Sequence, residues 1–292
     1  MDILPNSNII KCNSCGAIYK QHDDDFFYYF NSNIIQTYDA CQLKGLLENQ
    51  GPIAYTNDIF KRVTIGIILQ ELRRCIADLK CNIILDIGCG NGQYAYNLEN
   101  QYERYYGIEP SPIPSDYRLA SSPNPNITLI HNDAKELLPI HANSVDMVTF
   151  IASFDHIPNP RIIIADAWSK LRKKGYLLIL MQNYGFWPKR LINLFVGKQL
   201  FKDFNEHHCY HTPASLIKDI SSFLPNAKIG SIKFKANIVM FPRIPKSLSF
   251  IYFDEKILYK IDNILSFISS KILKREDLGA IMIVFLQKCD DT

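Results

Sequence analysis

The sequence has no apolar run of about 18 residues, so it predicts no transmembrane helix. It also lacks the basic start and long apolar centre of a secretory signal, and we expect a cytoplasmic protein. Excess charge is small: a net charge of +3 on 292 residues gives no electrostatic reason to expect nucleic acid as the main partner. The eight cysteines are scattered, which favours reduced thiols over a disulfide framework.

The central part of the chain alternates short apolar runs with helical patterns. We predict strands over 83–87, 105–109, 127–132, 145–152 and 176–182. An amphipathic helix precedes the first strand and another covers 161–171. This alternation predicts an α/β fold with a doubly wound, mostly parallel sheet, whose ligands bind at the carboxyl ends of the strands.

After Gln182 the alternation stops. We predict helical lid elements over 183–226 and 244–275, and two further strands over 228–235 and 280–287. Thr212 should cap a helix that has Pro213 at its first position. The amphipathic stretch 247–272 can lie on a membrane surface or cover the sheet, and its modest basic character favours covering the sheet.

Three glycines, Gly88, Gly90 and Gly92, follow the first predicted strand at alternate positions. A dinucleotide loop needs Gly-x-Gly-x-x-Gly, and this spacing fails at the third glycine. A phosphate loop needs Lys-Ser or Lys-Thr next, where Gln93 and Tyr94 stand. S-adenosylmethionine has no phosphate and carries a cationic sulfonium, so an acid at the strand end and bare glycine backbone suit it.

The sequence Asp86-Ile-Gly-Cys-Gly-Asn-Gly92 closely resembles the first motif of class I S-adenosylmethionine-dependent methyltransferases of the small-molecule type. Gly107-Ile-Glu109 closes the next strand about 20 residues on, where a carboxylate can accept both ribose hydroxyls. Asn132-Asp-Ala134 closes the third strand, where the family places an acid against the adenine amino group. Asn143-Ser-Val-Asp146 and Leu171-Arg-Lys-Lys-Gly175 resemble its leads into the fourth and fifth strands, although Lys174 stands where proline is usual.

The resemblance implies a Rossmann-like, seven-stranded sheet with strand order 3-2-1-4-5-7-6. It also implies that the cofactor is S-adenosylmethionine. The cofactor-binding residues expected from it are Asp86, Gly88, Cys89, Gly90, Glu109, Asp133 and Ala134.

Candidate catalytic residues follow the fourth strand. Asp155 and His156 should sit over the methyl group, where a histidine has a suitable pKa for a general base. Methyl transfer also depends on alignment and exclusion of water, so a general base is not obligatory. Trp187, His207, His208 and His211 are expected to bind substrate in the lid. The three histidines lie close to Cys209, but the spacing of these four residues is not that of a zinc motif, and we predict no metal.

The first 40 residues differ from the rest. Cys12 and Cys15 form one Cys-x-x-Cys pair, but structural zinc takes four ligands, and Cys41 and His22 together would complete the set only at unusual spacing. The segment resembles the second half of the zinc-ribbon-like modules that precede some methyltransferases. We therefore predict a degenerate ribbon-like appendage over 1–40 and a methyltransferase domain over 41–292.

The predicted activity is methyl transfer to oxygen or nitrogen of a small metabolite, such as a sugar, polyketide or lipid-like acceptor. Two rivals stay open. One is an RNA or protein methyltransferase, which salt-dependent RNA binding would favour. The other is a catalytically silent member that keeps the fold as a binding subunit.

Overall fold

The computed structural model describes residues 2–3, 9–11, 18–22, 26–29, 59–90, 92–98, 100–109, 126–131, 140–157, 159–183, 211–224, 227–235, 255–272, 279 and 281–289. The strands are β1 (Asp2–Ile3), β2 (Ile9–Lys11), β3 (Ile18–His22), β4 (Phe26–Tyr29), β5 (Ile83–Ile87), β6 (Arg104–Glu109), β7 (Ile127–His131), β8 (Val145–Ile151), β9 (Leu171–Gln182), β10 (Ala227–Lys235) and β11 (Ile281–Lys288). The helices are α1 (Ile59–Leu79), α2 (Gln93–Asn97), α3 (Pro160–Lys170), α4 (Pro213–Phe223) and α5 (Glu255–Phe267), with a 3₁₀ turn at Phe154–His156 and a π-helical turn at Ile268–Ile272.

One sheet runs through these strands in the order β1-β2-β3-β4-β7-β6-β5-β8-β9-β11-β10. Its last seven strands have the order 3-2-1-4-5-7-6 when they are numbered among themselves, as the resemblance implied. β5, β6, β7, β8 and β9 are parallel, whereas β11 runs antiparallel between β9 and β10. The N-terminal strands form an antiparallel series whose last member, β4, pairs in parallel with β7.

The central strands carry apolar side chains on both faces of the sheet. Helices cover both faces, because this apolar surface is otherwise exposed to water. α1, α2 and α5 contribute Leu72, Ala95 and Leu258 to the core on one face. α3 and α4 contribute Ile163 and Leu216 to the core on the other. Among the described helices, none is both long and apolar enough to cross a membrane.

The predicted start of α4 is confirmed. Thr212 is the N-cap, its hydroxyl accepts from the Ser215 backbone, and Pro213 is the first helical residue. The observed strand β9 is longer than the predicted strand 176–182, because it begins at Leu171. Its register on β8 shifts between Val145 and Met147, and Lys174 there has a φ of 63°. A proline ring holds φ near −65°, so proline cannot take this position, which accounts for the departure from the family pattern.

Asp146 ties the amino ends of three strands together. Its Oδ2 accepts from the backbone nitrogens of Asn82 at 2.7 Å and Ile83 at 2.8 Å, and its Oδ1 pairs with Nε of Arg172. The carboxylate itself is buried. The family's acid at this position is therefore a clamp that fixes the start of β5 against β8 and β9.

We expect Asp146→Ala to lower the free energy of unfolding by about 2 kcal/mol, because two backbone N–H groups lose their acceptor. Urea denaturation measures this change. Asp166→Ala is the matched control, since Asp166 is partly exposed and pairs with Lys170 within one helix at 3.5 Å. Equal losses in the two variants would contradict the clamp, because a partly exposed pair within one helix contributes less than about 1 kcal/mol.

Candidate functional site

The glycine loop after β5 is held between the ends of two neighbouring strands. Gly88, Gly90 and Gly92 have φ values of 75°, 57° and 77°, in the region that favours glycine. The backbone nitrogens of Gly88 and Cys89 both donate to the Ile108 carbonyl of β6, at 2.7 and 3.1 Å. On the other side, a Cβ added to Gly88 would lie 2.4 Å from Cβ of Ser153, so no larger residue fits there. The loop backbone is therefore bare and fixed.

Glu109 connects the end of β6 to this loop. Its Oε2 accepts from the Gly90 nitrogen at 2.9 Å, and the residue is 3% exposed. The sequence placed Gly90 and Glu109 in one site from their strand-end positions alone, and the structure brings them into hydrogen-bond contact. The thiol of Cys89 packs against Gly107 of the same strand and is buried.

Asp86 lies beneath the loop and is fully buried. Its Oδ2 accepts from the Tyr105 hydroxyl at 2.6 Å and its Oδ1 from the Thr149 hydroxyl at 2.7 Å. Burial raises the pKa of Asp86 to about 6; the two hydroxyls oppose this and Glu109 adds to it. Sequence reasoning did not single out Tyr105 or Thr149. The residue pattern predicted that both lie in strands, but it did not predict that their hydroxyls contact Asp86.

Two carboxylates, those of Asp86 and Glu109, thus lie at the glycine loop, and both affect the pKa of the Cys89 thiol. Burial raises the pKa of Cys89 well above its ordinary value, and Glu109 and Asp86 raise it further. A site with this charge repels a pyrophosphate and attracts a cation. The bare glycine backbone, the buried Glu109 and the negative field fit the cationic sulfonium and the ribose of S-adenosylmethionine.

The loop after β8 places the two candidate catalytic residues at the carboxyl edge of the sheet. Asp155 is 2% exposed, whereas the side chain of His156 is 25% exposed, and Oδ1 of the first lies 3.9 Å from Nε2 of the second. The buried ring of Phe154 packs edge-on against Phe150, with 5.4 Å between the centroids. His156 is therefore the more accessible member of the pair.

His211 lies next to this loop although it is more than 50 positions away in the sequence. Its ring centroid is 6.0 Å from that of Phe154, and its Nδ1 is 3.6 Å from Oδ2 of Asp219 on α4. Burial lowers the pKa of His211, while Asp219 and Asp155 oppose that shift. Within the described part of the chain, its buried Nε2 has no hydrogen-bond partner. Sequence reasoning missed Asp219, whose only signal is its position seven residues after the Thr212 cap.

The remaining predicted site residues, Asp133, Ala134, Trp187, His207 and His208, lie outside the described residues, as do Cys12, Cys15 and Cys41. Their roles stay predictions. Within the ranges that the structure describes, no three His, Cys, Asp or Glu side chains are grouped so that they could hold a metal ion.

Residues 85–179 match the family described as "Methyltransferase domain". This part of the chain, about a third of its length, is similar to a methyltransferase domain. Its boundaries enclose the glycine loop and Glu109, and they run from within β5 to within β9. The predicted enzyme class and the predicted cofactor of that class, S-adenosylmethionine, are confirmed at the level of this methyltransferase domain.

Curated relatives of the methyltransferase domain include the ubiquinone biosynthesis O-methyltransferase of Photobacterium profundum, 24% identical over 141 residues, 46% of this chain and 59% of that protein. The protein of the same name from Acinetobacter baylyi is 25% identical over 145 residues, 47% of this chain and 60% of that protein. The chain thus spans about three fifths of the length of these relatives.

Solved structures share the fold of the methyltransferase domain. The plantazolicin methyltransferase BpumL, solved in complex with SAH, aligns with a TM-score of 0.53 at 17% identity, covering 88% of this chain and 99% of BpumL. The methyltransferase in a complex with the Haloferax volcanii Trm112 methyltransferase activator aligns with a TM-score of 0.51 at 13% identity, covering 75% of this chain and 89% of that one. At these identities the likeness shows the fold alone.

Proposed function

We propose that this protein transfers the methyl group of S-adenosylmethionine to an oxygen or nitrogen of a small-molecule acceptor. The observation that carries the proposal is the buried Glu109 carboxylate on the amide of a bare glycine loop, with Asp86 beneath it. This combination of fixed negative charge and open backbone suits a cationic, phosphate-free nucleoside. The donor supplies an electrophilic methyl group when it is bound, and the chain supplies position and surroundings.

In this proposal Glu109 accepts hydrogen bonds from the ribose hydroxyls, and the backbone of Gly88 and Gly90 lies against the donor. Asp133 would accept from the adenine amino group and Ala134 would pack beside it. Asp86 is bonded through both oxygens to Tyr105 and Thr149, so its contribution is negative charge beneath the donor more than a direct contact. Ser153 donates to the Ile87 carbonyl and leaves no room for a side chain at Gly88.

The acceptor side is the loop at Phe154–His156 together with His211. His156 is accessible enough to take a proton from an acceptor hydroxyl, and Asp155, at 3.9 Å, can orient it. His211 packs beside Phe154 of this loop, and its Nδ1 lies 3.6 Å from Oδ2 of Asp219. We expect Trp187, His207 and His208 to contribute to the same side from the lid. The relatives named as O-methyltransferases favour oxygen as the acceptor atom.

Calorimetry with S-adenosylmethionine tests the donor site, and a transfer assay with labelled donor tests the acceptor class. The assay should include hydroxylated small molecules with and without a lipid tail, and RNA. We expect donor binding and label transfer to a hydroxylated small molecule. Transfer to RNA alone would favour the rival reading, and donor binding without any transfer would favour a silent binding subunit.

We expect His211→Phe to lower turnover of the acceptor found in that assay about tenfold, because a buried polar ring beside the catalytic loop is replaced by an apolar one. Donor affinity should be unchanged, since His211 contacts Phe154 and lies near Asp219 rather than the glycine loop. His141→Phe is the matched control, because His141 is exposed. Turnover equal to that of the control would remove His211 from the acceptor side.

A further inference from the structure

The segment between β10 and β11 is inserted at the same edge of the sheet as the donor site. Lys235, the last residue of β10, pairs with Ile281, the first residue of β11, and Ile281 pairs with Gln182 at the carboxyl end of β9. The chain therefore leaves the sheet and returns to it at the carboxyl edge. α5 lies within this insertion.

The inner face of α5 is fixed against α1. Leu258 is buried in the core that α1 covers, and Asp262 is also buried. The Tyr259 hydroxyl lies only 1.7 Å from the place where a Cβ on Gly66 would stand, so α1 has a glycine at the contact. Glu71, five residues after Gly66 on α1, pairs with Lys235 at 2.9 Å, so this part of α1 is level with the carboxyl edge of the sheet. α1 runs toward the amino end of β5, so Gly66 lies farther from that end than Glu71 does. α5, which contacts Gly66, therefore sits level with the carboxyl edge or beyond it.

The outer face of α5 and of the π-helical turn after it is apolar and basic. Ile257, Ile264, Phe267 and Ile272 are 48%, 57%, 59% and 64% exposed. In the described part of the chain they are four of the five large apolar side chains exposed to this extent. Lys256, Lys260 and Lys271 are exposed beside them. At about 100° per residue, the exposed positions of α5 fall within an arc of roughly 120°.

The charge on this outer face decides between possible occupants. All charged side chains at the exposed positions described from 256 to 272 are lysines, and the acid Asp262 is turned to the buried side. A two-fold contact with a second copy would bring lysines against lysines. An anionic lipid surface instead takes up the apolar side chains and pairs its headgroups with the lysines.

We propose that the outer face of α5 docks on an anionic membrane surface and that the acceptor is an amphipathic, lipid-like molecule taken from that surface. The position of α5 at the carboxyl edge brings the membrane beside the donor site. The membrane contact stands on the exposed side chains, whereas the identity of the acceptor rests on the proposed methyl transfer.

Co-sedimentation with vesicles tests the membrane contact. The full chain should sediment with phosphatidylcholine vesicles that contain phosphatidylglycerol and much less with phosphatidylcholine alone. The double variant Ile257→Ser with Ile264→Ser should lose about tenfold in partitioning, because two exposed apolar side chains no longer enter the interface. Lys260→Gln with Lys271→Gln should weaken binding to the anionic vesicles and reduce its salt dependence. Ile162→Ser is the matched control: Ile162 is 58% exposed on α3, and its loss should change nothing.

Three results would overturn the membrane contact. One is no sedimentation of the wild type with anionic vesicles, and another is equal loss in the control and in the isoleucine pair. The third is a dimer in sedimentation velocity that the isoleucine pair converts to monomer, which would make the face an interface between copies. Binding that ignores the lysine pair would overturn the choice of an anionic surface. Calorimetry with S-adenosylmethionine on the same variants keeps the two proposals apart, because the donor site can fail while vesicle binding persists, and the reverse.

Discussion

Replacing Glu109 by alanine should lower the affinity for S-adenosylmethionine about a hundredfold, because a charged acceptor for two ribose hydroxyls is lost. The change also removes the acceptor of the Gly90 nitrogen, which now bonds at 2.9 Å. Glu109→Gln should cost about tenfold, since an amide oxygen can still accept from one donor while the negative charge is gone. Isothermal titration calorimetry measures both affinities.

Glu103→Gln is the matched control for Glu109, because Glu103 is an exposed carboxylate at the opposite end of β6 that accepts from Asn82. Its donor affinity should equal that of the wild type. If Glu109→Ala binds the donor as the wild type does, the proposed site is wrong. If Glu109→Ala unfolds at the same urea concentration as the control, a loss of affinity cannot be blamed on unfolding.

Asp86→Asn should make the protein more stable near neutral pH and weaken its hold on the donor. Asp86 has a folded-state pKa of about 6 against an ordinary 3.8. A raised carboxyl pKa contributes stability that is fully present below the ordinary value and is lost as the pH rises to about 6. Asparagine carries no charge, so the variant should gain about 2 to 3 kcal/mol over the wild type above pH 6, and little at pH 4. Urea denaturation across this pH range measures the difference.

Donor affinity should move in the opposite direction, because the amide removes negative charge from beneath a cationic ligand. The two measurements together separate a structural carboxylate from one that serves the donor. A stability gain with unchanged donor affinity would make Asp86 a structural residue only. Asp78→Asn is the control, since Asp78 is exposed on α1 and its replacement should alter neither quantity.

The succession of strands and the place of the donor loop could be predicted from local patterns. Alternating apolar runs indicated β5 to β9, and the spacing of Gly88, Gly90 and Gly92 excluded phosphate loops before any contact was known. Glu109 could be assigned to the same site, because it ends the next strand and parallel strands present their carboxyl ends at one edge of the sheet. Each of these features is determined by the residue types and spacing within one short segment, so it can be recognised without knowledge of tertiary contacts.

Other features of the site depend on contacts between distant segments. The sequence placed Asp86 among the donor ligands, but only the packed sheet shows that Tyr105 and Thr149 occupy both of its oxygens. His211 was assigned to the lid from its neighbours in the sequence, and the structure sets it against Phe154 with Asp219 close by. Side-chain partners from other strands and helices cannot be read from a periodic pattern, because that pattern specifies a face and not the residue opposite it.

The sequence by itself determined the class of fold, the cofactor signature and the presence of an amphipathic helix near residue 260. The tertiary structure decided how each was used: it buried Asp86, joined Gly90 to Glu109, and turned Ile257 and Ile264 outward while Leu258 packed inward. The physical reason is that backbone pattern and glycine spacing act within a segment. Burial, pKa and exposure depend on which segments the completed sheet brings together.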